Sequence, residues 1–285
     1  MNLPVSFVVG LRRRWFRALT HALSCLGLIW LITEITTFSS ESVEHYLKLH
    51  GSAYLLVSIG AAATVLFVQV FERSSVTFQL PTTDTNISIR FGDLFHETDN
   101  LLIGVNEYFD SALGHVVAQH SVHGQFIINF YKSEEARFRA DLDTALASAK
   151  SSPSRRPINP KLKYEIGTTA VLSIGGRKAF LVAMSHTDIQ TSKASATVPM
   201  LWNAMTGALQ TVRDYGNGEA IAMPLIGNGH SSVNIEPQHL LRLLVLAIVD
   251  FGRKKGLPKK ISIIVPDACF KVLDIREIAR DWRNS

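Results

Sequence analysis

The chain has 285 residues, enough for one large domain or for a short accessory segment followed by one domain. Charged residues make up 19% and hydrophobic ones 47%, less charged than an ordinary soluble protein at about 25%, and the apolar excess lies near the N-terminus. A net charge of +5 is too mild to name a nucleic-acid partner, and two cysteines so far apart, Cys25 and Cys269, build no disulfide framework.

Residues 1–17 form a basic segment containing Arg12, Arg13, Arg14 and Arg17. An apolar window over 18–38 follows, and a second, uncharged, runs over 52–71 as SAYLLVSIGAAATVLFVQVF. About 20 helical residues at ~1.5 Å rise cross a ~30 Å hydrocarbon core, so both windows predict transmembrane helices. The polar members of the first, His21 and Glu34, lie towards its ends, where they reach the interface. A cleaved signal peptide is disfavoured because the apolar stretch is too long and no small-x-small site follows. The connecting loop, 39–51, carries Glu41 and Glu44 against Lys48. The positive-inside bias then predicts a cytoplasmic N-terminus, an external loop, and a cytoplasmic C-terminal part beyond Arg73. Gly60 and Thr64 are a small-xxx-small pair, suited to close helix contact within the hairpin or between protomers.

Residues 72–85 are polar and read as a linker or an early strand. NISIRF alternates at period two, NLLIGV is a continuous apolar run of buried-strand type, and GQFIINFY is a third apolar segment of β-rich composition. Ser133 to Lys150 reads as a surface helix, and SSPSRRPINP as an exposed loop. Two strands joined at Gly175-Gly176 come next. Lys193 to Tyr215 shows helical recurrence of Trp202, Met205, Leu209 and Val212. EAIAMPLI is a strand, Pro237 to Lys254 an apolar helix, KKISIIVP a last strand, and VLDIREIARDW an amphipathic tail helix. This alternation predicts an α/β domain over 86–285, three layers deep around a mixed sheet.

In such a sheet a ligand lies beyond the carboxyl ends of the strands. Three segments meet that condition: Gly92-Asp93-Leu94, Val105-Asn106, and Pro224-Leu225-Ile226-Gly227-Asn228-Gly229 ahead of a helix. Each has a plainer reading, as a turn or a cap. Together they suit an anion, because free N–H groups and the helix dipole both favour negative charge. His115, His120 and His123 match no zinc spacing, so no metal is expected. His230 either reaches a phosphate or is a solvated loop side chain.

The order strand–GD–strand–VN–helix–strand–PLIGNG–helix resembles the macro domain, which binds ADP-ribose, over about 86–270. The resemblance implies that Asp93 bonds the adenine amino group, with Leu94 beside it, and that Val105 and Asn106 lie near the distal ribose. It implies that Pro224, Leu225, Ile226, Gly227, Asn228 and Gly229, with His230, form the second phosphate loop. Macro domains usually follow Val-Asn with Ala-Ala-Asn and a glycine run. Here NEYFDS stands instead, and the first phosphate loop falls around Ser121, His123 and Gly124. That departure argues against ADP-ribosyl hydrolysis and implies no catalytic residue. NEYFDS…SVHGQF behind two spans is similar to the macro-domain effectors of Thoeris, a bacterial anti-phage system. The resemblance implies a bacterial inner-membrane effector that needs no cofactor. It would sense an ADP-ribose-type nucleotide made from NAD by a TIR enzyme, assemble as a homo-oligomer on activation, and disrupt the bilayer. A membrane-anchored ADP-ribosyl hydrolase and a non-signalling ADP-ribose-binding anchor are the alternatives.

Overall fold

A computed structural model describes residues 3–81, 83–158, 160–188, 191, 193–228 and 233–283. The chain divides into two compact units, Met1–Ser74 and Ser75–Ser285.

The first unit is helical: α1 (Leu3–Ser39), α2 (Glu41–Leu49) and α3 (Gly51–Val70). The residues expected as a basic segment and as a connecting loop are thus mostly helical themselves. Within these helices, Pro4–Ser39 and Gly51–Val70 are each long and apolar enough to cross a membrane. The first exceeds the ~20 residues that a bilayer requires, and it bends at Arg14, whose φ of −133° and ψ of 15° are not helical.

Small residues let α1 and α3 approach. A Cβ on Gly10 would collide with the carbonyl of Val70, while Ser6 Oγ donates to Glu72 O at 2.6 Å and Phe7 stacks on Phe67. Arg13 and Arg14 flank the buried Glu72 carboxylate at 3.7 and 3.4 Å. Towards the other end, the hydroxyls of Thr33 and Tyr54 bond at 3.0 Å. Ser58, Ala62 and Val70 are the buried residues of α3, whereas a Cβ on Gly60 would meet open space. The Gly60/Thr64 pair therefore does not serve this hairpin contact. Trp30, Leu31, Ile35, Leu56 and Val57 are exposed on the outer faces, an apolar surface that suits lipid better than water.

The second unit is an α/β/α sandwich. Its strands are β1 (Ser75–Gln79), β2 (Asn86–Phe91), β3 (Asn100–Asn106), β4 (Ser151–Pro153), β5 (Leu162–Tyr164), β6 (Thr169–Ile174), β7 (Arg177–Thr187), β8 (Ala194–Ser195), β9 (Ile221–Pro224) and β10 (Lys260–Val265). Its helices are α4 (Val122–Tyr131), α5 (Glu135–Ala145), α6 (Val198–Tyr215), α7 (Pro237–Lys254) and α8 (Ile275–Arg283). Among the described residues the main sheet runs β1-β2-β10-β9-β3-β7-β6, with β8 on β7. β2, β10, β9, β3 and β7 are mutually parallel, while β1 and β6 pair antiparallel at the two edges. The mixed sheet and three layers agree with the sequence reading. The stretch expected as linker or early strand contains β1.

The uniformly apolar strands are buried on both faces because successive side chains point oppositely. Leu102, Phe180 and Val182 enter the core under α6, α7 and α8. Leu101, Ile103, Leu181 and Ala183 enter the core under α4 and α5.

Three local expectations change, the first being the helix expected from Lys193, which starts only at Val198 after β8. GQFIINFY, expected to be β-like, lies in α4. Ser121 caps that helix by accepting from Gly124 N at 3.0 Å, and His123, Phe126, Ile127 and Tyr131 then fall on one buried face. Tertiary packing of that face overrides the β preference of phenylalanine and isoleucine. SSPSRRPINP, expected to be an exposed loop, contains β4 and carries Arg156, only 3% exposed.

Candidate functional site

Parallel pairing brings the carboxyl ends of β3, β9 and β10 to one edge of the sheet, and a cavity of about 860 Å³ lies there. That volume is of a size that accommodates a whole small ligand. Gly104, Val105 and Asn106 of β3, Met184 of β7, and Pro266 after β10 contribute to its wall. A Cβ on Gly104 would collide with the Met184 side chain, so glycine there permits close packing beneath the cavity.

One rim is the turn after β9. Leu225 N donates to Ile264 O at 3.2 Å and Asn228 N to Leu225 O at 3.2 Å. Gly227 has φ +92°, a conformation open to glycine and strained for other residues. Asn228 Nδ2 donates to Cys269 Sγ at 3.5 Å, tying the turn to the segment after β10. Burial raises the Cys269 thiol above its ordinary pKa, and the Asn228 hydrogen bond opposes that shift.

The facing rim is the start of α4. Ser121 Oγ donates to Ala118 O at 2.6 Å while accepting from Gly124 N. A Cβ on Gly124 would strike Ala118 O. The first intrahelical bond runs from Gln125 N to Ser121 O, so helix geometry leaves the amides of Val122 and His123 without an intrahelical acceptor. His123 belongs to the wall, but its imidazole is buried and packs edge-on to Phe138 of α5. Burial lowers its pKa to about 4, so the ring is neutral near pH 7.

Asn106 closes the third side, at a bulge between Val105 and itself against β7. Its Oδ1 accepts from Tyr108 N and Asp110 N, each at 3.2 Å, and its Nδ2 donates to Asp110 Oδ2 at 2.7 Å. Phe109, fully buried, sits at φ +51° within this turn.

Of the residues expected from sequence, Val105, Asn106, Ser121, His123, Pro224, Leu225, Ile226, Gly227 and Asn228 line the cavity together. Gly124 lies in the adjacent first turn of α4. Asp93 and Leu94 are outside the wall as described. Asp93 Oδ1 accepts from Phe95 N at 2.9 Å, capping a 3-10 turn over Leu94–His96, and Leu94 is buried in the core under α4. Asp93 still follows Gly92, whose N–H donates to Val265 O, one residue before the cavity-lining Pro266. Gly229 and His230 fall outside the described residues.

Sequence reasoning missed Gly104, Met184 and Lys193, and weighed His120 only as a metal ligand. Only Gly104 carried a signal, a glycine inside a strand. No aspartate or glutamate appears in the wall among the described residues, while Lys193 and His120 do. That balance suits an anionic ligand.

A family model described as "Thoeris protein ThsA, Macro domain" matches residues 87–266. A mutant Oceanobacillus iheyensis macrodomain has the same fold, with TM-score 0.50 and 13% identity over 73% of this chain and 93% of that one. The Oceanobacillus iheyensis macrodomain with ADP gives TM-score 0.49 and 13% identity, covering 74% and 95%. The Trypanosoma brucei macrodomain in complex with ADP-ribose gives 0.41 and 11%, covering 63% of each chain. No curated protein matches the chain.

Proposed function

Because the chain belongs to the Thoeris ThsA macro-domain family, we propose that it is a membrane effector of bacterial anti-phage defence, whose macro domain binds an ADP-ribose-type nucleotide. The observation that carries this reading is the cavity itself. Two backbone rims, one turning at Gly227 and one opening α4, face a wall without carboxylates among the described residues. Amides at a helix start and in a glycine turn suit a pyrophosphate. In this reading Asp93 accepts from the adenine amino group beyond Pro266, and Asn106 lies near the distal ribose. Gly229 and His230 extend the second phosphate loop.

The signal is supplied by a TIR enzyme acting on NAD. The protein binds it without turnover, a reading that rests on the sequence, which lacks the Ala-Ala-Asn and glycine-run pattern. The two apolar helices lie in the bacterial inner membrane with both termini cytoplasmic, on the strength of the arginines before the first span. Ligand must favour one assembly of the protein over another, since only differential affinity shifts an equilibrium. The favoured state is an oligomer that disrupts the bilayer and kills or arrests the cell.

The test is calorimetric titration of the full chain in detergent micelles with ADP-ribose, with chromatography of the ligand afterwards. Saturable binding and intact ligand are expected. Steady conversion would move the assignment to an ADP-ribosyl hydrolase. In liposomes loaded with dye, ligand should provoke leakage; binding without leakage would leave a non-signalling anchor.

A further inference from the structure

Arg156 stands out among the buried charges of the second unit. It lies 46 residues from its partner Asp110, and the two side chains are 2% and 1% exposed. Its Nη1 donates to Asp110 Oδ1 at 2.9 Å and its Nη2 to Oδ2 at 3.2 Å. The guanidinium lies over the Tyr108 ring at 4.1 Å, and Tyr108 Oη bonds Ser154 Oγ at 2.9 Å. Asp110 Oδ2 is also the acceptor for Asn106 Nδ2. A charged pair therefore stands directly behind an amide in the cavity wall.

The valences of that amide can be counted. Asn106 Oδ1 holds two backbone N–H groups, so both of its lone pairs are engaged. One Nδ2 hydrogen goes to Asp110. The flipped amide would set Oδ1 against a carboxylate and Nδ2 against two N–H donors, so the orientation is forced by its partners. A single Nδ2–H remains.

We propose that Arg156 is a positioning residue of the ligand site: by clamping Asp110 it locks the Asn106 amide so that the cavity receives one N–H donor and no acceptor from it. The ligand group at that wall is then an acceptor oxygen, of a sugar hydroxyl or a phosphate. The inference rests on the nucleotide-binding reading above. Arg156 touches no cavity surface and acts through Asp110. Lysine would keep the charge there but lose the two-pronged fork and the planar stacking on Tyr108.

Removing one member alone leaves an unpaired buried charge, whereas replacing both with uncharged residues of similar size is tolerated far better. The test therefore uses Asp110→Asn combined with Arg156→Met, in the full chain in detergent micelles, with and without Asn106→Ala. ADP-ribose affinity is read by calorimetry and folding by thermal melting. The charge-free pair should melt within a few degrees of the wild type yet bind about tenfold more weakly, a loss typical of one misplaced hydrogen bond. In the Asn106→Ala background the same pair should change affinity less than about twofold, because the group it positions is gone. Arg156→Lys should fold and show an intermediate loss, and it carries the same measurement if the pair does not fold. Equal losses with and without Asn106→Ala would overturn the proposal, as would wild-type affinity in the charge-free pair. Failure of the wild type to bind ADP-ribose would instead overturn the functional reading and this proposal together.

Discussion

Gly227 offers a sharp test of the rim after β9. Its φ of +92° strains any side chain, at about 1–2 kcal/mol for a non-glycine residue. A Cβ there would also sit 3.1 Å from Val233 Cγ2 and 3.2 Å from Leu240 Cδ1. Both neighbours must give by a few tenths of an ångström, so Gly227→Ala should cost about 2 kcal/mol. For a unit of this size that lowers the melting temperature by about 4–8 °C. Relief of the strain moves the turn, and ADP-ribose affinity should fall roughly tenfold to thirtyfold if the amides face the pyrophosphate. Gly176→Ala supplies the control. Its φ is +83° in the β6–β7 hairpin, and open space surrounds its Cβ, so it shares the strain without touching the cavity. Thermal melting and calorimetry of the full chain in detergent separate the two effects. Destabilisation of both variants with wild-type ADP-ribose affinity in Gly227→Ala would refute the reasoning and take the turn out of the site.

Other consequences can be checked alongside. His123 takes a proton near 6.5 when unfolded but only at about 4 when folded, so the unfolded chain binds more protons between those values. Stability should be full above about pH 6.5 and fall by up to about 3 kcal/mol towards pH 4; His123→Phe should flatten that loss in denaturant titrations. Asp93→Asn keeps an acceptor for Phe95 N and should preserve the melting temperature while weakening ADP-ribose about tenfold. Asp93→Ala should lose about 1 kcal/mol of capping as well, and unchanged affinity in both would remove Asp93 from the adenine site. Gly10→Leu should lower the melting temperature of the helical unit in micelles, because the Val70 carbonyl occupies that space, whereas Gly60→Leu should not. Reporter fusions after residues 17 and 80 should read cytoplasmic and one near His45 external; an external signal after residue 80 would reverse the topology.

What could be read in advance depended on how local the signal was. The β9 strand, its proline and the glycine turn announce themselves within a few residues, and they line the cavity as the spacing suggested. The segment 124–131 was misleading because its phenylalanines and isoleucines favour strands. Its helix is set by one serine cap and by a core face that only the folded sheet provides. Asp93 lies outside the cavity wall as described, and its carboxylate serves a local cap in this structure. Arg156 was not legible at all. An arginine amid prolines and serines looks solvated, and nothing nearby marks a partner 46 positions earlier. Lys193, expected to open a helix, reaches the cavity wall from a loop ahead of β8.

The strand order also governs when the cavity exists. β10, which follows the other described strands in the chain, wedges between β2 and β9, so two halves of the sheet wait for residue 265 before they can join. On the ribosome, the two long apolar helices emerge well before that moment. The β1–β2 hairpin meanwhile carries an open edge with no partner. A chain halted anywhere between residues 71 and 260 would own both long apolar helices and no finished cavity.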